Sequence, residues 1–227
     1  MKNSFIASGV RLIELDFADI ADANNVANWV DFEKKHDIVK ILTPLPHEDL
    51  QVLRKRGYVF ADRTLEVSIP LNKLEDVQKH IRLKIMPTND YKTELMQIAQ
   101  ESFVFDRRFH WRVWQKDKAL FNAILEQWFL DLPTVFVCFY KDLPVGFLAL
   151  LRQNEKNAFV HLAAVAPKYR MTGAAMALYA FAINEAKIWG CTHLNGRISA
   201  QNMAVMNLYA YFGAKFGNPT DIYIKEI

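Results

Sequence analysis

The stretch FVHLAAVAPKYRMTGAAMALYAF at residues 159–181 decides the fold of this chain. Residues 159–165 are apolar except for His161, which is typical of a buried strand. Pro167 cannot donate a hydrogen bond to a strand ladder, so we expect the strand to end before it. After Gly173 the sequence is rich in alanine, the best helix former, and predicts a long helix. The order strand, loop, helix indicates an α/β unit.

The loop between this strand and this helix has the composition of an anion site. It reads RMTGAA at residues 170–175, so that Arg170 supplies a cation and small residues let an anion approach the backbone. N–H groups converge at a helix N-terminus, where the helix dipole favours negative charge. Gly173 and the alanines would also allow close packing of helix on sheet, so the pattern alone leaves both interpretations open. Its place between strand and helix favours a phosphate-binding loop.

Another strand, at residues 193–198, and another helix follow. On that helix Asn202 and Tyr209 are seven residues apart, which places them on one face about 10 Å apart along the axis. Leu208, Tyr211 and Phe212 can pack the helix on the sheet. Tyr209 would then carry a functional hydroxyl, although an ordinary packing tyrosine is the alternative.

Upstream, the pattern predicts three successive strands at residues 135–140, 145–152 and 159–165, joined by turns at 141–144 and 154–157. Two helices precede them. The first is opened by Thr88-Asn89-Asp90 and carries Leu95, Ile98 and Ala99, and the second lies at 116–132. Two antiparallel hairpins that feed a helix predict a sheet with helices on both faces.

The first part of the chain is also mixed. It predicts strands at 10–15, 37–42 and 58–70, and helices at 24–35 and 46–56, the latter ended by Gly57. A polar stretch at 72–80 links this part to the rest. We therefore expect an N-terminal α/β subdomain at residues 1–78 and a second domain at residues 79–227.

Composition excludes several classes. Apolar residues make up 52% and charged residues 23% of 227 residues, as in ordinary globular proteins. A net charge of +3 is too small to indicate nucleic acid binding. Residues 1–14 lack a signal-peptide pattern, and no apolar run approaches the ~18 residues that span a bilayer. Cys138 and Cys191 lack metal-ligand spacing and are expected to be core thiols. We expect a cytoplasmic protein with no metal, membrane or nucleic acid partner.

The order of these elements resembles the GNAT superfamily of acetyl-CoA-dependent N-acetyltransferases. The loop matches the superfamily pattern Gln/Arg-x-x-Gly-x-Gly/Ala, with Ala175 in the last position. The resemblance implies the GNAT fold, an α/β fold with a mixed, mostly antiparallel central sheet flanked by helices, and acetyl-CoA as co-substrate. It also implies that the strand before the loop diverges from its neighbour to admit the pantetheine arm. The implied acetyl-CoA-binding residues are Ala163, Ala164, Val165, Arg170, Met171, Gly173, Ala174, Ala175 and Asn202.

The same resemblance implies roles in catalysis. The N–H of Val165 is the candidate that polarises the acetyl carbonyl and holds the oxyanion, and Tyr209 would give a proton to the departing thiolate. His161 could deprotonate the ammonium, since an unperturbed imidazole has a pKa near ~6.5. A structural histidine with a water relay is the alternative. No cysteine is placed for a covalent acyl-enzyme, which favours direct transfer in a ternary complex.

Further segments resemble the bacterial dTDP-fucosamine acetyltransferases. These segments are residues 37–41, 53–58 and 65–71, Glu101-Ser102-Phe103, Arg108-Phe109, Tyr209, Gly213-Ala214 and Ile222-Tyr223. This resemblance implies that the acceptor is the amine of a nucleotide-linked deoxyamino sugar used in surface polysaccharide biosynthesis. The phosphate loop follows the wider superfamily instead. The resemblance therefore supports the binding of acetyl-CoA better than it supports the identity of the acceptor.

An aromatic and arginine-rich loop follows the first helix of the second domain, where enzymes of this superfamily build the acceptor pocket. Aromatic side chains stack on sugars and bases, and arginines pair with a diphosphate. A packed loop with surface arginines is the alternative. The candidate substrate-binding residues are Phe103, Arg107, Arg108, Phe109 and Trp111.

Other functions remain compatible with the sequence. The acceptor could be a protein N-terminus, a polyamine or an aminoglycoside, although Arg107 and Arg108 favour an anionic nucleotide. A non-catalytic acyl-CoA-binding module is a further alternative, which the presence of Tyr209 disfavours. A homodimer is compatible with the sequence.

Overall fold

The computed structural model of this chain describes residues 3–7, 10–19, 33–45, 50–74, 83–88, 90–103, 122–123, 126 and 134–227. Most of the predicted helices at 24–35 and 116–132, and most of the aromatic and arginine-rich loop, lie outside these residues.

Ten strands form one sheet in the order β1-β2-β3-β10-β4-β9-β8-β7-β6-β5. Neighbouring strands are antiparallel except for two parallel pairs, β2 with β3 and β8 with β9. Their bounds are β1 Asn3–Ala7, β2 Val10–Asp16, β3 Ile38–Pro44, β4 Val59–Pro70, β5 Lys84–Pro87, β6 Val135–Tyr140, β7 Leu143–Arg152, β8 Asn157–Val165, β9 His193–Ser199 and β10 Lys215–Glu226.

Four α-helices lie in the described part of the chain: α1 Gln51–Lys55, α2 Lys92–Ser102, α3 Ala174–Ile188 and α4 Met203–Tyr211. One face of the sheet buries Val67 and Leu194 in a core with Leu178 of α3 and Tyr209 of α4. The opposite face packs against α2, where the core includes Leu95, Ile98, Phe147 and Leu162. The predicted mixed sheet with helices on both faces is therefore confirmed.

The two parts of the chain share this sheet. The C-terminal strand β10 pairs with β3 on one side and with β4 on the other. β4 in turn pairs with β9, with Glu66 opposite Arg197. A domain boundary near residue 78 stays a prediction, and strands from both sides of it build one continuous surface next to β9.

Two predicted boundaries were wrong. The turn between β6 and β7 contains only Lys141 and Asp142, whose φ angles of 48° and 63° are typical of a two-residue hairpin. Leu143 and Pro144 already pair with β6, where an irregularity after Cys138 accommodates the proline. β8 begins at Asn157, two residues before its predicted start. The helix predicted at 46–56 is described from Gln51 to Lys55, and residues 46–49 lie outside the described residues.

Cys138 and Cys191 are buried and unbonded, which confirms the prediction of core thiols. None of the helices in the described ranges is long and apolar enough to cross a membrane.

Candidate active site

The parallel pair β8 and β9 opens into a gap. Its register runs from Asn157 opposite His193 to Val160 opposite Gly196, and it stops there although both strands continue. The pairing stops because of an irregularity on the other side of β8. There, consecutive residues of β7 pair with Val160 and Leu162, so that His161 is an extra residue in β8. A β-bulge of this kind bends the strand that carries it. The gap therefore begins at Gly196.

Backbone groups of β8 face this gap. Ala166 donates its N–H to the carbonyl of Val145 at 2.9 Å. Because hydrogen-bonded and non-bonded positions alternate in an antiparallel ladder, the polar groups of Ala163 and Val165 point away from β7. The carbonyl of Val165 confirms this direction, since it accepts hydrogen bonds from Ser102 Oγ at 3.2 Å and Arg170 Nε at 3.4 Å. Both Ala163 and Val165 thus present amides to the gap; the sequence had named Ala163, Ala164 and Val165 for binding acetyl-CoA and Val165 alone for holding the oxyanion.

The predicted phosphate loop lies at the end of β8. Residues Pro167–Thr172 form a 3₁₀ helix, and Gly173 follows with φ of 82°, a conformation that favours glycine. α3 begins at Ala174, so the N–H groups of its first turn lie at the loop. Arg170 is exposed, and Met171 is 98% exposed, which leaves its side chain clear of the core. The loop therefore has the geometry of a helix N-terminal anion site, with phosphate binding still a prediction.

Tyr209 lies at the apex of the gap. Its side chain is 1% exposed, and a Cβ built on Gly196 would stand 2.3 Å from the phenolic oxygen. Gly196 is the last residue of β9 that pairs with β8. The absence of a side chain at Gly196 thus makes room for the hydroxyl where the strands separate.

Tyr179 of α3 holds this hydroxyl. The two phenols are hydrogen-bonded, with ring centroids 5.1 Å apart and ring planes at 82°. Burial raises the pKa of Tyr209 well above its usual value, and the nearby Tyr179 raises this pKa further. Burial also raises the pKa of Tyr179, to about 12. Since a thiol has a pKa near ~8.5, proton transfer from Tyr209 to a thiolate is uphill. Tyr179 therefore holds the position of the Tyr209 hydroxyl and does not favour its ionisation.

Asn202 caps α4. Its Oδ1 accepts a hydrogen bond from the N–H of Val205 at 3.2 Å, which satisfies one N–H of the first turn. The side-chain amide NH₂ is the part that could donate to a pantetheine carbonyl. A contact between Asn202 and pantetheine stays a prediction, and the structure adds that Asn202 caps α4.

His161 is exposed at the bulge, and its ring centroid is 6.4 Å from that of Phe159. Of the predicted acceptor residues, Phe103 ends α2 and packs against the α2 core. Arg107, Arg108, Phe109 and Trp111 lie outside the described residues. Sequence reasoning gave no role to Ser102, although its hydroxyl contacts the backbone at the gap.

A cleft of about 510 Å³ adjoins the gap. It lies on the sheet face opposite α3 and α4, because Glu66 and Arg197 line it while their neighbours Val67 and Ile198 belong to the core on the α3 side. Sequence reasoning missed this cleft. Alternation of polar residues in β4 and β9 was the available signal, but it does not show that the two strands are neighbours.

The family model described as the acetyltransferase (GNAT) family matches residues 93–214, more than half of the chain. This chain is therefore a member of the GNAT acetyltransferase family, and it is an acyltransferase. Members of the family act on amine acceptors and generally use acetyl-CoA.

Solved structures share its fold. A conserved protein of unknown function from Staphylococcus epidermidis has a TM-score of 0.65 at 13% identity, over 96% of this chain and 85% of the other. A GCN5-related N-acetyltransferase from Sphaerobacter thermophilus has a TM-score of 0.63 at 13% identity, over 99% and 76%. A glucosamine N-acetyltransferase region of a fungal β-N-acetylglucosaminidase has a TM-score of 0.62 at 13% identity, over 99% and 31%. No curated protein matches this chain in sequence.

Proposed function

We propose that this enzyme transfers the acetyl group of acetyl-CoA to the amine of a nucleotide-linked deoxyamino sugar. The observation that carries the proposal is the gap between β8 and β9, which has the predicted phosphate loop at one end and the Tyr209 hydroxyl at its apex. Transfer is direct, with both substrates bound together.

The donor fits this arrangement from end to end. Its pyrophosphate would bind the first-turn N–H groups of α3 beside Gly173, with Arg170 as a cation at the same loop. Its pantetheine arm would hydrogen-bond the backbone groups of Ala163 and Val165 that face the gap, and the amide NH₂ of Asn202. The thioester would then lie near the apex.

In the reaction the acceptor ammonium loses two protons, and the sulfur of the donor gains one. His161, or a water next to it, takes a proton from the ammonium, and the neutral amine attacks the thioester carbonyl. The N–H of Val165 or Ala163 holds the oxyanion. As the C–S bond breaks, the thiolate takes the proton of Tyr209, whose hydroxyl Tyr179 holds in place. The nitrogen loses its second proton to solvent as the intermediate collapses to the amide, and the phenolate regains a proton from solvent.

The charge of the cleft favours an anionic acceptor. One carboxylate, Glu66, and two cationic side chains, Arg197 and Lys215, are among its lining residues. A surplus of positive charge disfavours polyamines and aminoglycosides, and it suits a nucleotide diphosphate. The resemblance to the dTDP-fucosamine acetyltransferases points the same way. The fungal region with this fold is described as acting on glucosamine, an amino sugar.

A panel of amines tests the proposal. CoA release is measured with dTDP-fucosamine, UDP-glucosamine, spermidine, kanamycin and a peptide with a free N-terminus, each against acetyl-CoA alone. We expect the highest kcat/KM with a nucleotide amino sugar and confirm the N-acetyl product by mass spectrometry. A higher kcat/KM with spermidine, kanamycin or the peptide would reject the proposed acceptor and leave the acetyl-transfer chemistry in place.

A further inference from the structure

The cleft beside the gap is lined mainly by residues of four strands, β4, β8, β9 and β10. We call it the sheet cleft, lined among others by Glu66 of β4, Phe159 of β8, Asn195 and Arg197 of β9, and Phe216 and Asn218 of β10. Its volume of about 510 Å³ lies in the range of small-molecule sites. β9 and β10 both border this cleft because β4, a strand of the N-terminal part, lies between them in the sheet.

Glu66 is fixed in this cleft from two sides. Arg197 Nη2 donates to its Oε1 at 2.5 Å, and Asn218 Nδ2 donates to its Oε2 at 2.6 Å. Arg197 is held in turn, since its Nη1 donates to Thr220 Oγ1 at 3.1 Å. The carboxylate side chain is nevertheless 46% exposed. A half-exposed ion pair contributes about 0–1 kcal/mol to stability, so the two hydrogen bonds on Glu66 add little to the stability of the fold.

Asn218 reaches Glu66 through an unusual backbone. Its φ is 44°, a left-handed value that asparagine tolerates better than most residues. It lies where the register of β10 with β4 shifts between Gly217 and Thr220. Bulges re-aim side chains near functional sites, and strained backbone at such a position indicates function. The irregularity in β10 therefore brings the side-chain amide of Asn218 within hydrogen-bond distance of Glu66.

Aromatic rings complete the cleft. Phe159 and Phe216 line it, and Phe216 is 39% exposed. A sugar ring has apolar C–H faces and hydroxyl groups at its rim, so it suits a cleft with aromatic surface and a fixed carboxylate.

The sheet cleft meets the reaction centre at Gly196. This glycine lines the cleft, and the hydroxyl of Tyr209 approaches it closely. Phe159 in the cleft is also beside His161. An amine on a ligand in the cleft would therefore approach the gap from the side opposite Tyr209.

We propose that the sheet cleft is the acceptor site, and that Glu66, fixed by Arg197 and Asn218, accepts hydrogen bonds from hydroxyl groups of the amino-sugar ring. This inference rests on the proposed function for the identity of the sugar. It assigns acceptor specificity to β4, a strand outside the segment that matches the family.

Glu66→Gln tests this inference, since it keeps the shape of the side chain and replaces one acceptor oxygen by a donor. Asp37→Asn is the matched control, because Asp37 forms a similarly exposed pair with Arg11. We expect Glu66→Gln to raise the KM for dTDP-fucosamine at least about tenfold, the loss of one hydrogen bond to a charged group. The calorimetric Kd of acetyl-CoA should change less than twofold in both variants, and the control should keep the wild-type KM.

Calorimetry of dTDP-fucosamine binding to the CoA-bound protein separates the possible failures. Weaker binding to Glu66→Gln than to wild type supports the cleft, and equal binding overturns it. A wild type that binds or acetylates another amine of the panel, with Glu66→Gln impaired for that amine, supports the cleft and rejects the proposed sugar. If the wild type binds none of the panel, both the sugar and its place in the cleft are rejected.

Discussion

The hydroxyl of Tyr209 lies so close to Gly196 that a Cβ at Gly196 would be 2.3 Å from the phenolic oxygen. Real Cβ atoms do not approach an oxygen this closely, so β9 must carry glycine here if the phenol is to occupy the apex of the gap.

Gly196→Ala should therefore displace the phenol. We expect kcat to fall by about 100-fold, as for the loss of a general acid, and the free energy of unfolding to fall by about 1–3 kcal/mol from overpacking. Steady-state kinetics and urea denaturation measure the two effects. A variant with wild-type kcat would show that the position of the phenol is unimportant.

Tyr179→Phe should weaken catalysis through Tyr209. The variant keeps the ring contact and removes the hydrogen bond that positions the Tyr209 hydroxyl, worth about 0.5–1.5 kcal/mol, so kcat should fall about 2- to 10-fold. The Kd of acetyl-CoA should not change. In the double variant with Tyr209→Phe, the loss should be no greater than for Tyr209→Phe alone, since both residues act in one step. Additive losses would assign Tyr179 a separate role in packing.

Gly173→Val should abolish acetyl-CoA binding in a folded protein. Gly173 has φ of 82°, so valine would strain the loop that we assign to the pyrophosphate. Gly190→Val is the matched control, because Gly190 also has a left-handed φ, of 78°, and open space around it. Calorimetry should show binding in the control alone. Binding lost in both variants, or kept in both, would contradict the phosphate-loop assignment.

Alkaline pH should destabilise the protein through the buried tyrosine pair. Burial raises the pKa of Tyr179 to about 12 and that of Tyr209 further. Because the folded-state pKa exceeds the unfolded value near 10, this contribution to stability is fully present below about pH 10 and is lost as the pH rises towards the folded-state pKa. We expect the Tm to fall steeply above pH 10, with a smaller fall in Tyr179→Phe. If the Tm of the wild type and of Tyr179→Phe fell equally above pH 10, the buried tyrosine pair would not be the cause.

The sequence predicted the elements whose signals are local. Gly173 before an alanine-rich run, and the spacing of Asn202 and Tyr209, gave the loop and the last helix. The hairpin between β6 and β7 was predicted, but its turn was taken to be two residues too long, because Pro144 usually lies outside a strand ladder and no Asn-Gly or Asp-Gly pair indicated a two-residue turn.

Long-range pairing could not be predicted in the same way. Glu66 and Arg197 are 131 residues apart, and they meet only because β4 lies beside β9. Each strand alone showed alternating polar residues, which indicate an exposed face without naming its neighbour. For the same reason the spacing on α4 indicated Tyr209 but not its partners Tyr179 and Gly196, which belong to other elements.

Tyr209→Phe, measured with acetyl-CoA and dTDP-fucosamine, tests most directly that acetyl transfer occurs at the gap between β8 and β9. The variant keeps the ring and its packing and removes the proton for the thiolate. Because burial raises the pKa of Tyr209 well above its usual value, wild-type kcat should show no loss from this phenol up to about pH 10. We expect kcat to fall about 100-fold in the variant, with an unchanged calorimetric Kd for acetyl-CoA. A variant with wild-type kcat would contradict the assignment and leave Tyr209 as a packing residue.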